Sequence, residues 1–450
     1  MYIFYRVVPN SFIFFLCFAT GLIFSSCDEQ PDPKKKYVAQ GRKVEVVFEN
    51  GNYTLIRNGK PYFIKGAGGY EHFDKIREHG GNSVRVWHTE DAQRVLDEAH
   101  KHGLTVTLGL WLAPENEGFN YYDKELVAQQ YNEMREAVLR YKDHPALLMW
   151  GLGNELNLDA SNTKVWDAVN EIAEMIDKLD PDHPTATMLV GARTKLINLI
   201  TKKCPAIDVI AVNTFGSMAN IPEKIRESDW PGPYIISEFG ARGYWETYTT
   251  WWYAPLEQTS SAKASFIKNR YNRVIGSDTA RCLGGYVFYW GYKFEGTPTW
   301  FSLFSRFGEK TEMVSVMEEL WSGDSSANKP PYVAYMKLND TYGYENIYLK
   351  TQSDYEAAVY TFDPDGDSLT LQWEVLPEAF NEHGEETGIT KANPVPVSMD
   401  RISDNKIRLR TPAEEGPYRL FVYIYDQQGH VATANTPFYV NSAGAYTKLE

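Results

Sequence analysis

The chain has 450 residues, 43% hydrophobic and 23% charged, a globular balance that excludes disordered and fibrous classes. A formal net charge of −14 argues against a nucleic-acid partner, whose phosphates call for a basic face. Aromatics reach 14%, with 12 Trp and 30 Tyr, more than packing alone requires. A neutral ligand with flat apolar faces, such as a carbohydrate, fits an acidic chain of this kind.

Residues 1–27 read as a signal peptide. Arg6 stands in a short n-region, and residues 12–24 form an apolar run. That run suits a signal h-region and is shorter than the ~20 residues a membrane-spanning helix needs. Ser25-Ser26-Cys27 resembles the lipobox of bacterial lipoproteins, which implies a mature chain lipid-anchored to a membrane through Cys27. The expected location is the bacterial cell envelope, on the periplasmic face or outer surface. Residues 28–43, rich in Lys and Pro, read as a tether.

Asn58-Gly59 is a type I′ turn signal between two short apolar runs. From there apolar strands at 62–65, 83–87, 105–110, 147–152, 185–189, 209–212, 234–237 and 285–289 alternate with amphipathic helices. Near-continuous apolar strands imply burial on both faces, as in a parallel sheet. Eight such units give the α/β class and predict a (β/α)8 TIM barrel over residues 44–324. A doubly wound sheet is the rival, but no Gly-rich phosphate loop follows the first strand. Cys204 and Cys282 would lie two strands apart, so buried thiols are expected rather than a disulfide. The histidines show no metal-ligand spacing, and neither a metal nor another cofactor is expected.

After Trp321 the pattern changes to a Ser/Pro linker and then to strict alternation, as in residues 418–424. Residues 332–441 predict a C-terminal β-sandwich. The segment resembles immunoglobulin-like or polycystic-kidney-disease-type accessory domains of secreted enzymes, which suggests a spacer or binding role. Its turn Asp363-Pro364-Asp365-Gly366-Asp367 reads as solvated, with Ca²⁺ as the alternative.

Barrel active sites form where strands end at the C-terminal face. Those ends carry Arg85, Trp87 and His88 on strand two, Trp111 on three, Asn154-Glu155 on four, Asn213 on six, Glu238 on seven and Trp290 on eight. A carboxylate placed directly after a buried strand needs a reason, because burial of its charge costs several kcal/mol, of order ~5. Two of them facing one mouth are what glycoside hydrolysis uses, one as acid and one as nucleophile or base.

The run from His144 through Asn154-Glu155 resembles the acid/base motif of glycoside hydrolase family 2 barrels, within the clan A retaining glycosidases. Residues 234–240, containing Glu238, resemble that clan's nucleophile strand, and 81–85 its second strand, whose arginine supports the nucleophile. The resemblance implies a retaining β-glycoside hydrolase with Glu155 as acid/base and Glu238 as nucleophile. It further implies Asn154 on the substrate 2-hydroxyl and Trp290 along the subsite of the cleaved sugar. Two departures stand out. Phe215 occupies the place of a tyrosine that bonds the nucleophile, for which Tyr244 is a substitute candidate. Full-length family 2 enzymes carry sugar-binding and sandwich domains before the barrel, where a tether and a hairpin are expected here, so exo-β-galactosidase or β-glucuronidase identity does not transfer. A small family with a similar barrel, for example one acting on β-1,3-glucans, is equally consistent.

The expected partner is an extracellular β-linked polysaccharide or oligosaccharide bound by a monomer. Arg85, His88, Asn213, Tyr244, Trp245 and Trp251 join Asn154, Trp111 and Trp290 as candidate substrate contacts. His88 reads equally as filler, and Trp87, Trp111 and Trp300 equally as rim packing or sugar platforms. Tyr244-Trp245 and Trp251-Trp252-Tyr253 are read as sugar-stacking, since exposed indoles are unfavourable without a ligand. A transglycosylase with the same carboxylates and a non-catalytic glycan-binding lipoprotein are the alternative functions.

Overall fold

The protein is described from a computed structural model covering residues 35–381, 383, 384, 386 and 393–446. Cys27 and its lipobox lie outside the described residues.

The first elements form a small antiparallel sheet, β1 (Val44–Glu49), β2 (Asn52–Arg57) and β3 (Lys60–Pro61). Asn58 and Gly59 both take positive φ in the β2–β3 turn, as the type I′ signal requires. Val44, Val46, Tyr53 and Leu55 from this sheet pack with Leu148, Ala186 and Val209 near the strand starts, plugging the N-terminal end of the barrel. Tyr37, within the expected tether, is buried there and donates its hydroxyl to the Asp208 carbonyl. The ordered unit thus begins before residue 44, because an aromatic in a Lys/Pro-rich stretch finds an apolar seat.

The barrel follows as β4 (Ile64–Gly68), α1 (Phe73–Glu78), β5 (Ser83–Val86), α2 (Ala92–Lys101), β6 (Thr105–Leu110), α3 (Lys124–Tyr141), β7 (Leu147–Asn154) and α4 (Val165–Leu179). It continues through β8 (Thr185–Val190), α5 (Thr194–Lys203), β9 (Val209–Asn213), α6 (Ile221–Arg226), β10 (Tyr234–Phe239), α7 (Ser260–Arg273), β11 (Cys282–Val287) and α8 (Glu312–Ser322). Strands β4 to β11 close in sequence order, β11 pairing β4 and every pair parallel. Cys204 and Cys282 are buried free thiols, each pushed up to about 12 by burial. The eighth strand begins three residues earlier than its sequence pattern indicates. Gly284 and Gly285 look like a breaker, yet a Cβ at Gly284 would stand 2.1 Å from the Ile64 carbonyl oxygen. The close approach of β11 to β4 requires glycine there.

The sandwich comprises β12 (Tyr332–Leu338), β13 (Tyr348–Lys350), β14 (Asp354–Phe362), β15 (Thr370–Pro377), β16 (Met399–Ser403), β17 (Lys406–Arg410), β18 (Gly416–Tyr425) and β19 (Val431–Asn441). Two four-stranded sheets, β12-β14-β17-β16 and β13-β19-β18-β15, enclose a core that includes Val333, Val359, Leu420 and Val440. In the Asp-rich turn, oxygens of Asp363 and Asp367 come within 4.8 Å of one another and of Asp426.

The sandwich is bonded to the barrel through a buried polar network. Glu257 accepts from Lys263, Thr297 and Thr299 of the barrel and from Asn435 of β19. Arg419 of β18 pairs with Glu378 and donates to the barrel carbonyl of Pro255 at 2.8 Å. These fully buried charges balance one another across the junction, which a freely hinged spacer would not need.

Candidate active site

Local irregularities in two strands aim the carboxylates. Across β7 and β8, Leu152 pairs Thr187 and Asn154 pairs Met188, leaving Gly153 bulged out at φ +69°. Regular alternation would send Asn154 and Glu155 to opposite faces; the bulge, with Glu155 itself at φ +53°, turns both to the cavity. A non-glycine residue held in this region costs about 1–3 kcal/mol, a strain found where function demands it. β10 does the same against β9: Ile236 pairs Val212, Glu238 pairs Asn213, and Ser237 is skipped.

The result is a tight constellation. Asn213 Nδ2 lies 2.9 Å from Glu155 Oε1, 2.9 Å from Glu238 Oε1 and 3.0 Å from Asn154 Oδ1. Ser237 Oγ donates to Asn213 Oδ1 at 2.7 Å, which points the amide nitrogen at the carboxylates. Buried Arg85 donates Nη1 to Glu238 Oε1 at 2.6 Å and Nη2 to Asn154 Oδ1 at 2.7 Å. Trp87 Nε1 completes the set at 2.8 Å from the same Glu238 oxygen. Three donors thus converge on Oε1 of Glu238, and Oε2 has no protein hydrogen bond among the described residues.

Burial raises the Glu155 carboxyl above the usual carboxylate range, and the charge of Glu238 raises it further. Asn213 and Arg85 oppose this, and Glu295 adds to it. A protonated Glu155 beside an Arg-held Glu238 is the state these causes favour.

The carboxylates open into a cavity of about 850 Å³. Of the residues expected from the sequence, His88, Trp111, Asn154, Asn213, Tyr244 and Trp245 line it. His88 stacks on Trp111 with ring centroids 4.6 Å apart. Trp290 does not belong to it. Strand β11 ends at Val287, so Phe288 and Tyr289 reach the cavity, whereas Trp290 is fully buried and donates its indole to the His72 carbonyl. Trp251 is also displaced: it stands exposed against Tyr446, and Trp252 packs on Tyr348 and Tyr439 of the sandwich. That cluster stands at the domain junction, outside the cavity that holds the carboxylates. Tyr244 does not bond the nucleophile candidate; its hydroxyl donates to Glu386 at 3.2 Å. Trp300 is buried behind Tyr244.

Sequence reasoning missed Tyr70, Arg193, Phe288, Tyr289 and the ion pair Lys293–Glu295, all on the cavity wall. The last four sit on the loop after β11, and only the corrected end of that strand could have pointed to them.

Paired carboxylates at the C-terminal mouth of a closed parallel barrel are the arrangement of barrel glycosidases. The chain belongs to glycosyl hydrolases family 2, whose TIM barrel domain matches residues 69–293. A β-glucuronidase of Paenibacillus borealis is 26% identical over an alignment of 237 positions that covers 44% of this chain and 38% of that protein. A β-galactosidase of Leuconostoc mesenteroides is 23% identical over an alignment of 248 positions that covers 48% of this chain and 23% of that protein. The chain therefore spans well under two thirds of these relatives. The solved structure of Bacteroides uniformis β-glucuronidase 2, covalently bound to cyclophellitol-6-carboxylate aziridine, is similar in fold, with a TM-score of 0.50 and 12% identity. It covers 88% of this chain and 48% of that one.

Proposed function

We propose that the protein is a retaining β-glycoside hydrolase with Glu238 as nucleophile and Glu155 as acid/base. The observation that carries this reading is the shared amide of Asn213. Two 2.9 Å bonds end to end hold Glu155 Oε1 and Glu238 Oε1 at most about 6 Å apart. Retaining enzymes separate their carboxyls by about 5–5.5 Å, whereas inverting ones leave about 6.5–9.5 Å for a water.

In the first step Glu155 gives its proton to the glycosidic oxygen as Glu238 attacks the anomeric carbon. The aglycone leaves and a glycosyl ester forms on Glu238. In the second, Glu155, now ionised, takes a proton from water, and the resulting hydroxide displaces Glu238 from the sugar. Arg85 and Trp87 stabilise the carboxylate each time it is released. Asn154, its Oδ1 occupied by Arg85 and Asn213, offers its Nδ2 to a sugar hydroxyl. The Phe215 departure does not argue for a decayed site, because three donors hold Glu238 without a tyrosine.

The substrate proposed is an extracellular β-linked polysaccharide or fragment, a β-glucan among the candidates, met by a lipoprotein anchored through Cys27. Turnover of aryl β-glycosides tests the catalytic claim. Glu155→Ala should keep the first step on substrates with good leaving groups and regain turnover with azide. Full activity in Glu238→Ala would overturn the assignment.

A further inference from the structure

The wall of the catalytic cleft formed by the loop after β11 has a second side. Behind it, between the barrel and the outer face of the β13-β19-β18-β15 sheet, lies a cavity of about 270 Å³. It adjoins a more open one of about 340 Å³, and the two share Gln372 and Tyr425. β15 and β18 are paired so that Gln372 stands opposite Tyr423 and Thr370 opposite Tyr425, which places these side chains on one face. The barrel contributes Tyr292 and Arg306 to the inner cavity and Phe307 to the outer.

The chemistry of this groove is distinctive in what it leaves unpaired. Among the described residues, the side chains of Gln372 and Arg306, the hydroxyls of Tyr292 and Tyr425, and the second oxygen of Glu374 make no hydrogen bond to protein. Glu374 Oε1 is fixed by the Tyr423 hydroxyl at 2.6 Å. The Arg306 guanidinium carbon lies over the Phe307 ring, 4.6 Å from its centre. Phe307 is 66% exposed and Tyr292 37%, in a protein that buries most rings of this size. Donors and acceptors in mixed order, aromatic faces, and the charge of Arg306 set among the carboxylates of Glu374 and Glu309 describe a site for an uncharged polyhydroxylated ligand.

We propose that this groove is a second carbohydrate-binding site, taking about two units of a neutral glycan, separate from the catalytic cleft. The loop that carries Lys293 and Glu295 on its cleft side carries Tyr292 and Arg306 on this side. A polysaccharide held here would therefore be kept beside the cleft by the same loop and the sandwich together. The sandwich is thus a half-site, completed by barrel residues.

The test separates binding from turnover by using the Glu238→Gln chain, which keeps the cleft but does not hydrolyse. Calorimetric titration uses β-1,3-gluco-, β-1,4-gluco-, β-1,4-galacto- and β-1,4-xylo-tetraose. At least one should bind with a stoichiometry of two. Adding Gln372→Ala with Tyr425→Ala, or Phe307→Ala with Arg306→Ala, should weaken one site at least tenfold and leave the other. In the chain with Glu238 intact, neither pair should alter aryl glycoside turnover. A stoichiometry of one that both pairs leave untouched, or no binding by any tetraose, overturns the proposal.

Discussion

Trp87 donates its indole nitrogen to Oε1 of Glu238 at 2.8 Å, in a site where Phe215 has no hydroxyl to offer. Phe215 instead packs edge-on against Trp245 and Phe288 in the aromatic wall. A hydrogen bond to a charged group is worth about 1.5–3 kcal/mol, which is about 10- to 100-fold in rate. Trp87→Phe should therefore lower kcat by about that factor on aryl β-glycosides, with a thermal midpoint close to that of the parent chain.

The carboxyl of Glu155 is raised partly by the charge of Glu238, so removing that charge should lower it. Infrared titration of the Glu155 carboxyl in Glu238→Gln should show its protonated band disappear at lower pH than in the parent chain.

Asn213 acts in the opposite sense, because its amide favours the ionised form of Glu155. Activity requires protonated Glu155 and falls as pH rises through its pKa. Asn213→Ala should reduce kcat/KM and move the alkaline limb of its pH profile upward. A downward shift would mean that Asn213 does not act on Glu155 as its hydrogen bond implies.

At the domain junction, Arg419→Leu leaves Glu378 buried without its partner, and burial already raises that carboxyl. Breaking a buried pair costs about 3–5 kcal/mol. The stranded Glu378 escapes part of that by protonation in the folded state, so the deficit grows as pH rises above its usual carboxylate value. Thermal unfolding should show a larger gap from the parent chain at pH 8 than at pH 5. A chain ending at Ser322 should also lose turnover, since Tyr244 and Gly296 at the cleft rim are held by Glu386 of the sandwich.

The barrel was legible because its strands are uninterrupted apolar runs; β6 spans the same residues, Thr105–Leu110, that its pattern marks. The carboxylates were legible because each follows such a run directly. Trp290 was misplaced because a glycine pair that serves a close strand contact has the look of a strand boundary. Trp251 and Trp252 could not be placed from sequence, since the rings they pack against, Tyr446 for the first and Tyr348 and Tyr439 for the second, lie far along the chain in the sandwich and just beyond it. Glu257 carries no local signal either. Its partners Lys263, Thr297 and Asn435 meet only once both domains have folded.

The anomeric form of the first product tests the central claim most directly. Proton NMR, followed from the first minutes of aryl β-glycoside hydrolysis before mutarotation, should show the β-anomer appear first and the α-anomer only later. Initial release of the α-anomer would contradict the account, because inversion needs a water between carboxyls that Asn213 holds too close together.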